Sequence, residues 1–559
     1  VPYDTSKTDA LFYLPLGGAG EIGMNCYLYG YGGKWLMVDL GVIFGESGSP
    51  GIDVVMPDLG FIEPHREDLV GLVLTHGHED HLGAVAYLWP KLGCPVYATP
   101  FTAALLRRKL AEVGLEGEVP IHEIPLEGNV KLGPFDVTFV TLTHSIPEPN
   151  ALAIRTPLGV VVHSGDWKFD PDPLVGAPPD AATLQRLGEE GVLAMTNDST
   201  NVLVEGTSGS EAALKGQLTE LIGRFSGRVA VACFATNVAR LTSICAAAKA
   251  NDREVALVGR SLWRIDEIAR ETGLLQDLPP FLDDDAAVHM PKDKIVIVCT
   301  GSQGEPRAAL SRIARGGHRR IHLEEGDAVV FSSRVIPGNE KAISNLQNEL
   351  VRNGIEVVTA EDHDIHVSGH PAKEELRQMY EWVRPRFAIP MHGEPLHLKA
   401  HTELAEACQV PAACHVENGE LLMITKERAE IVDTVPSGRL GLDGKRLVAL
   451  GTGTLKSRWA MHLDGLIVAT AVLNEEGVLA SAPMVTAPGL LDPETDAEML
   501  EEAGIRVAQA LDELSKAERL NEEVLIQTIR LAARRYLRDV SGKKSKVEVH
   551  LMRLGENSR

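Results

Sequence analysis

The chain reads as an α/β protein of several domains, and three observations predict it. Apolar strands repeatedly end in a histidine or an aspartate, as in Leu72-Val73-Leu74-Thr75-His76 and Thr141-Leu142-Thr143-His144. That pattern is expected when loops at one edge of a sheet build a site. From about Ser208 the strands become almost wholly apolar, beginning with Val229-Ala230-Val231-Ala232-Cys233-Phe234, and alternate with helical stretches. Such strands belong to a parallel sheet covered on both faces. The histidine pattern then resumes at 363–370 and at His392, so the second domain is inserted into the first.

Length and composition bound the rest. A chain of 559 residues exceeds one hydrophobic core and makes about three or four domains. Hydrophobic content of 44% against 24% charged residues is that of a soluble globular protein. No apolar run is long enough to cross a bilayer, and Val1-Pro2-Tyr3-Asp4-Thr5-Ser6-Lys7 is no signal peptide. Seven cysteines, an odd number without framework spacing, predict a reducing compartment and buried thiols rather than disulfides. Cys408 and Cys414 come nearest to a pair, without the companion CxxC of a zinc site. The expectation is a cytoplasmic protein with no membrane association. A net charge of −24 opposes any polyanionic partner unless a basic groove or metal ions reverse the local potential.

In chain order, strands are expected at 10–16, 24–30 and 34–40. Gly17-Gly18-Ala19-Gly20-Glu21-Ile22-Gly23 looks like a phosphate loop, but Asn25-Cys26-Tyr27-Leu28-Tyr29 after it reads as a strand. A turn near an active site is therefore expected rather than a dinucleotide fingerprint. Asp39 closes an apolar strand; it is either exposed at a loop or, the favoured reading, a buried partner of a metal-bound histidine. In His76-Gly77-His78-Glu79-Asp80-His81 three imidazoles and an aspartate crowd into one loop before a helix that runs to Trp89. Imidazole and carboxylate suit zinc-like cations, and the short spacing lets one loop grip more than one ion. Glu79 falls outside the ligand pattern. A strand at 95–98, a helix at 102–113 and strands at 129–132 and 135–140 follow. A hairpin at 151–156 and 159–163 runs into Asp166, and a strand at 191–195 into Thr196-Asn197-Asp198-Ser199-Thr200. A lone His144 or Asp166 would more often be structural; their repeated placement at strand ends makes both ligand candidates.

The inserted units recur at 254–259, 294–299 and 328–331. Their loops, including Phe234-Ala235-Thr236-Asn237, 300–304 and Ser332-Ser333-Arg334, lie at the carboxyl ends of parallel strands. Ligands bind there in open sheets, and backbone amides can hold phosphate. Domain limits are placed at 1–207 and 363–436 for the first domain, 208–362 for the insertion and 456–559 for a C-terminal α/β domain, with a Gly-rich linker at 437–455. In the last domain strands are expected at 460–473, 477–485 and 546–552, with helices at 494–516 and 522–540. Arg530, Arg534, Arg535 and Arg538, followed by Lys543, Lys544 and Lys546, form a basic face that is solvated, contacts RNA or joins subunits.

Taken together these motifs resemble the metallo-β-lactamase superfamily and, within it, the β-CASP nucleases. His76-x-His78-x-Asp80-His81 matches the superfamily signature, with Asp39, His144 and Asp166 at its other motifs. Asp198, His370 in Ser368-Gly369-His370, and His392 in His392-Gly393-Glu394 match the three β-CASP marks. The glycine turn at 17–25, the stretch 366–370 and the C-terminal domain are similar to the bacterial ribonuclease J family over essentially the whole chain. The resemblance implies an αββα sandwich with an inserted parallel-sheet β-CASP domain and a small C-terminal α/β domain.

It also implies the chemistry. His76, His78 and His144 would hold one divalent ion; Asp80, His81 and His392 a second; Asp166 would bridge both. Two metals about 3.5–4 Å apart share a water and lower its pKa. Hydroxide then attacks the phosphodiester and leaves a 5′-phosphate on the downstream product. His370, tuned by Asp198, would protonate the leaving oxygen, and Asp80 is counted with both the ligands and the catalytic residues. His366, Val367, Ser368, Gly369 and His370, with Phe234, Ala235, Ser332 and Ser333, would line the substrate path. Zn²⁺ suits the N/O ligands by preference, Mn²⁺ or Mg²⁺ by availability. The function expected is 5′→3′ exonuclease action on single-stranded, 5′-monophosphorylated RNA together with endonuclease action, in mRNA decay and rRNA maturation, by a homodimer or homotetramer. The alternatives weighed are a β-CASP nuclease acting on DNA and a non-catalytic RNA-binding scaffold.

Overall fold

The computed structural model describes residues 5–7, 9–45, 49–336 and 338–554. Val1 to Asp4, within the N-terminal stretch read above, lie outside the described residues. Two compact units are distinguished: residues 1–43 with 56–439, and residues 44–55 with 440–559.

The larger unit is built on two sheets. In the eight-stranded sheet Leu11–Gly17, Cys26–Tyr31, Lys34–Val38 and Leu69–Val73 lie side by side at the centre. In the seven-stranded sheet Val192–Asp198 lies between Gly159–His163 and Phe387–Met391. Leu11, Tyr13, Leu36 and Val73 of the first pack against Phe139, Leu152, Ile154 and Ile389 of the second, giving one dry layer between the sheets. The far face of the second sheet is covered by helices Ala181–Glu190, Lys373–Val383 and Pro395–Ala407 through Leu187, Leu376, Met379 and Leu404. Strands buried on both faces need apolar residues at every position, which is why Val192–Asp198 shows no alternation.

After Asp198 the chain leaves this sheet and builds a third one. Five parallel strands run in the order Glu254–Val258, Ile295–Cys299, Val229–Ala232, Ala328–Phe331, Glu356–Val358, with helices between them. Ile297, Val329, Phe331, Leu310 and Leu346 centre its core. The chain then returns as Phe387–Met391, parallel to Val192–Asp198, with Thr196 opposite Ile389 and Asp198 opposite Met391. Insertion and return thus place Asp198 one residue short of level with His392.

The smaller unit corrects the expected linker at 437–455. Arg439–Asp443 and Arg446–Ala449 pair as a hairpin, and helix Gly453–Asp464 follows. Gly444, inside the stretch read as a Gly-rich linker, supplies the left-handed turn of that hairpin. Arg458 closes a bidentate pair on Asp443 at 2.9 and 3.0 Å. The helix also takes the start of the strand expected at 460–473, leaving Leu466–Leu473, and the strand expected at 477–485 reduces to Met484–Thr486. With Lys546–Arg553 they form a three-stranded sheet packed under Ala497–Asp512 and Glu522–Ser541. Arg534, Arg535 and Arg538 are exposed, while Leu525, Ile529, Ala533 and Leu537 of the same helix are buried. No helix among the described residues is long and apolar enough to cross a membrane. All seven cysteines are free thiols, five buried and Cys408 and Cys414 partly so.

Candidate metal centre and active site

Strand Leu69–Val73 carries the chain to Thr75, and helix Glu79–Leu82 begins at once with His78 as its N-cap. His76 and His81 are buried between them. Asp39 fixes this loop from behind. It is fully buried, and its Oδ1 accepts from the Thr75 amide at 2.8 Å. Its Oδ2 accepts from the Thr75 hydroxyl at 2.8 Å and lies 2.7 Å from His81 Nδ1. Of the two readings of Asp39, the structure has the buried histidine partner; its left-handed backbone lets the strand end there and turn inward. Burial pushes its carboxyl up, against the pull of His81 and Thr75. Glu79 turns away and pairs with Lys109 at 2.8 Å.

One ligand group is made of imidazoles alone. His78 Nδ1 lies 3.2 Å from His76 Nε2 and 3.0 Å from His144 Nε2. The outer nitrogens are engaged: His76 Nδ1 with the Thr75 hydroxyl at 3.0 Å, and His144 Nδ1, which donates to the Gly369 carbonyl at 2.5 Å. A Cβ on Gly369 would stand 2.7 Å from the His144 ring, so this approach needs glycine. Burial, reinforced by the neighbouring imidazoles, holds His76 and His144 well below the usual histidine range; burial takes His78 down to about 4. Nitrogens about 2.0–2.1 Å from a tetrahedral zinc lie about 3.3 Å apart, close to the spacing found.

The second group is rich in carboxylate. His81 Nε2 is 3.1 Å from Asp166 Oδ2 and 3.6 Å from Asp80 Oδ2. His392 Nε2 is 3.2 Å from Asp80 Oδ2. Burial opposes their charge, but the carboxylates overrule it: His81 is raised well above its usual value and His392, through Asp166, Asp198 and Asp80, to about 10. Burial likewise opposes ionisation of Asp166, but His392 and His81 hold it down at about 2. Asp166 Oδ2 lies 4.0 and 3.9 Å from the inner nitrogens of His76 and His144, so this carboxylate stands between the groups. Its Oδ1 is buried without a hydrogen-bond partner, a state that native interiors avoid unless an ion or water is there.

Asp198 and His370 complete the site. His370 Nδ1 is 2.8 Å from Asp198 Oδ2, and its ring, like that of His78, is partly exposed where the cluster's other imidazoles are buried. Burial would lower His370, but the Asp198 carboxylate beside it raises it. Asp166, Asp198, His370 and His392 also converge within 4.8 Å, so the groups form one contiguous cluster.

The turn 365–370 abuts this cluster through the Gly369 carbonyl. Ser368 Oγ accepts from Asn201 Nδ2 at 2.7 Å and from the His370 amide at 3.2 Å. His366 Nδ1 is buried without a partner, and burial together with Arg240, Arg334 and Lys168 pushes the ring down to about 3. Val367 packs beside Gly209. Ser332 does not face a cavity with a free hydroxyl: its Oγ donates to the Ile365 carbonyl at 2.7 Å and accepts from Arg240 at 2.8 Å. Arg240 is itself buried and paired with Glu211 at 2.9 Å. Ser333 accepts a long bond from Gln303. Phe234 and Ala235, half-buried in the turn before Asn237, make no hydrogen bond to the metal-group residues among those described.

Several residues of the site were not singled out from the sequence. Thr200 bonds both Asp198 and His392, and Asn25 reaches His81 Nε2 at 3.0 Å. The glycine turn is here too: the His392 amide donates to the Gly18 carbonyl at 2.6 Å, and Ala19 and Glu21 bridge to Gly393. Arg334 donates to Asn201 at 2.5 Å. The signal for Thr200 and Asn25 was adjacency to motifs already marked. Arg334 stands out in the sequence only as part of the Ser332-Ser333-Arg334 loop, and Arg240, a single arginine on helix Val238–Ala250, carries no signal.

Comparison with known proteins agrees with this geometry. Family models match the metallo-beta-lactamase superfamily at 19–204 and the ribonuclease J beta-CASP domain at 226–350. They match a Zn-dependent metallo-hydrolase RNA specificity domain at 354–414 and the ribonuclease J C-terminal domain at 453–554. The chain is 42% identical to ribonuclease J of Sinorhizobium meliloti, covering 99% of each. It is 36% identical to ribonuclease J of Thermus thermophilus, covering 84% of each, and 32% identical to ribonuclease J2 of Bacillus subtilis, covering 96% of this chain and 98% of that one. A crystal structure of a protein of unknown function from Enterococcus faecalis superposes with a TM-score of 0.53 at 17% identity, over 74% of this chain and all of that one, and shows the fold alone. A His/Asp cluster at the strand ends of two packed sheets, a parallel-sheet insertion before its last histidine, and 42% identity over nearly the full length converge: the chain belongs to the ribonuclease J family of metal-dependent RNA hydrolases, in the β-CASP branch of the metallo-β-lactamase superfamily.

Proposed function

We propose that the protein removes nucleotides 5′→3′ from single-stranded, 5′-monophosphorylated RNA and also cuts internally, with two divalent ions, Zn²⁺ by the nature of the ligands. His76, His78 and His144 would hold one ion, and Asp80, His81 and His392 the other. Asp166, whose Oδ2 lies near nitrogens of both groups, would bridge them, and its Oδ1, buried without a hydrogen-bond partner, supports the fit. When bound, the ions lower the pKa of water and offset the charge of the phosphodiester.

The chain's own residues do the rest. Asp39 and Thr75 hold the ligand loop rigid, so little is spent on ordering it. His370 has Nδ1 fixed on Asp198 and makes no other side-chain hydrogen bond, which leaves Nε2 to give a proton to the departing 3′-oxygen. Water attacks phosphorus opposite that oxygen, and the downstream product keeps the 5′-phosphate. This acid beside the ligand groups is the observation that carries the reading. His366, Ser368, Asn201 and Arg334 supply donors and positive charge for a terminal 5′-phosphate. The local cations answer the opposing net charge of −24. Action in mRNA decay and rRNA maturation, a cytoplasmic location and a homodimeric or tetrameric assembly accompany this reading.

The test uses RNA labelled at either end. His370→Ala is expected to lower kcat by ~10²–10⁴-fold with metal content unchanged. Loss of metal would make His370 a ligand instead. RNA with a 5′-triphosphate is expected to be trimmed more slowly than the monophosphate; equal rates would remove the terminal pocket. A matched DNA strand degraded as fast as the RNA would redirect the assignment to DNA.

A further inference from the structure

We propose that Thr200 is a positioning residue whose single hydroxyl joins the metal ligand His392 to the Asp198–His370 pair. The inference rests on the reading of His392 as a ligand and His370 as the acid.

Thr200 Oγ1 lies 2.7 Å from Asp198 Oδ1, 2.7 Å from His392 Nδ1 and 3.2 Å from the His392 carbonyl. A hydroxyl has one hydrogen to donate and two lone pairs to accept. An ionised Asp198 can only accept, so it takes the hydrogen. His392 Nδ1 must then carry its own proton and donate to Thr200. That choice of tautomer leaves the lone pair on Nε2, the nitrogen facing Asp80, where an ion ligand is required.

The same hydroxyl settles the other carboxylate oxygen. Asp198 Oδ1 receives both the Thr200 amide at 2.9 Å and the Thr200 hydroxyl. Oδ2 is thereby left for His370 Nδ1 at 2.8 Å. One side chain thus fixes which nitrogen of His392 meets the ion and which oxygen of Asp198 meets His370.

Thr200 is itself held. The Ser199 amide donates to the Met391 carbonyl at 2.9 Å, and Ser199 Oγ meets His401 Nδ1 at 2.8 Å. His401 Nε2 in turn meets the Tyr380 hydroxyl at 2.9 Å. His392 sits at φ 53°, anchored by its amide on Gly18, so its ring cannot follow Thr200 by a small backbone shift. A residue without the hydroxyl would leave His392 Nδ1–H with only the longer contacts to Asp198 Oδ1 at 3.4 Å and Asp166 Oδ1 at 3.5 Å, and Asp198 Oδ1 short of one donor.

The experiment compares Thr200→Val, which keeps the shape, with Thr200→Ser, which restores the hydroxyl. Metal affinity is measured by chelator competition, and kcat and KM on 5′-monophosphorylated RNA at saturating metal. Thr200→Val is expected to weaken one of the two ions by ~10–100-fold and to lower kcat by a similar factor, with KM for RNA within about twofold. Thr200→Ser is expected to recover both. Wild-type metal affinity in Thr200→Val, a kcat unchanged at saturating metal, or no recovery by Thr200→Ser overturns the proposal. Thr200→Ala carries the same comparison if Thr200→Val does not fold. Failure of the underlying reading shows elsewhere: His392→Ala would keep both ions, or His370→Ala would keep kcat.

Discussion

The two ligand groups differ in charge although one loop feeds both. His76, His78 and His144 form a neutral pocket, where burial suppresses protonation and three lone pairs face one point. Asp80, His81, Asp166 and His392, with Asp198 and Asp39 around them, form a negative pocket whose carboxylates raise both of its histidines. The neutral group offers geometry, and its affinity follows from lone pairs already aimed. The carboxylate group offers charge. If each group holds an ion as proposed, the two need not bind equally tightly or exchange at the same rate.

The comparison can be broken most severely at the residue common to both groups. Asp166→Ala is expected to lower metal content below that of any single-group variant and activity by at least ~10³-fold, read by elemental analysis and single-turnover cleavage. Asp39 touches the negative group directly, at His81, and reaches His76 of the neutral group only through the Thr75 hydroxyl. Asp39→Asn is expected to weaken one ion by ~10–100-fold and leave the other at wild-type affinity; equal weakening of both would erase the distinction. Gly369→Ala presses on the neutral group instead, and is expected to weaken the ion that Asp39→Asn spares, by ~10-fold or more, because the added Cβ meets His144.

The smallest effect concerns stability. His401 lies behind the carboxylates, and burial pushes it down to about 4, so it folds neutral. An unfolded histidine takes up a proton below about 6.5. Its contribution to stability is therefore present above pH 6.5 and lost as pH falls towards 4. His401→Gln is expected to flatten thermal midpoints across that window, and an unchanged slope would show that His401 does not titrate there.

Much of this was legible in the sequence because ligands at strand ends leave a local trace. An apolar run stops at a histidine or aspartate, and Asp166, His144 and His392 each sit at such a stop. The insertion was legible for the same reason, as a change from alternating to continuous apolar strands. What was hidden depends on neighbours far along the chain. Ser332 sits at a parallel-strand end, the right address for a ligand, yet a buried Arg240 takes its hydroxyl. Gly444 and Gly451 signalled flexibility where the chain folds a hairpin and starts a helix, because glycine marks a left-handed bend and a loose linker alike. Thr200 has no periodicity or spacing of its own; its role exists only once His392 returns beside it.

That return has a cost that is smaller than its length suggests. Between Val192–Asp198 and Phe387–Met391 the chain makes an excursion of roughly 190 residues and re-enters one strand away, about 4.8 Å distant. Closing a loop grows in cost only with the logarithm of its length, so this excursion is ~3 kcal/mol dearer to close than a ten-residue turn would be. A whole domain can therefore lie between two paired strands at the thermodynamic expense of about two hydrogen bonds. The sheet keeps both ends in register, and so Asp198 and His392 meet however long the chain between them.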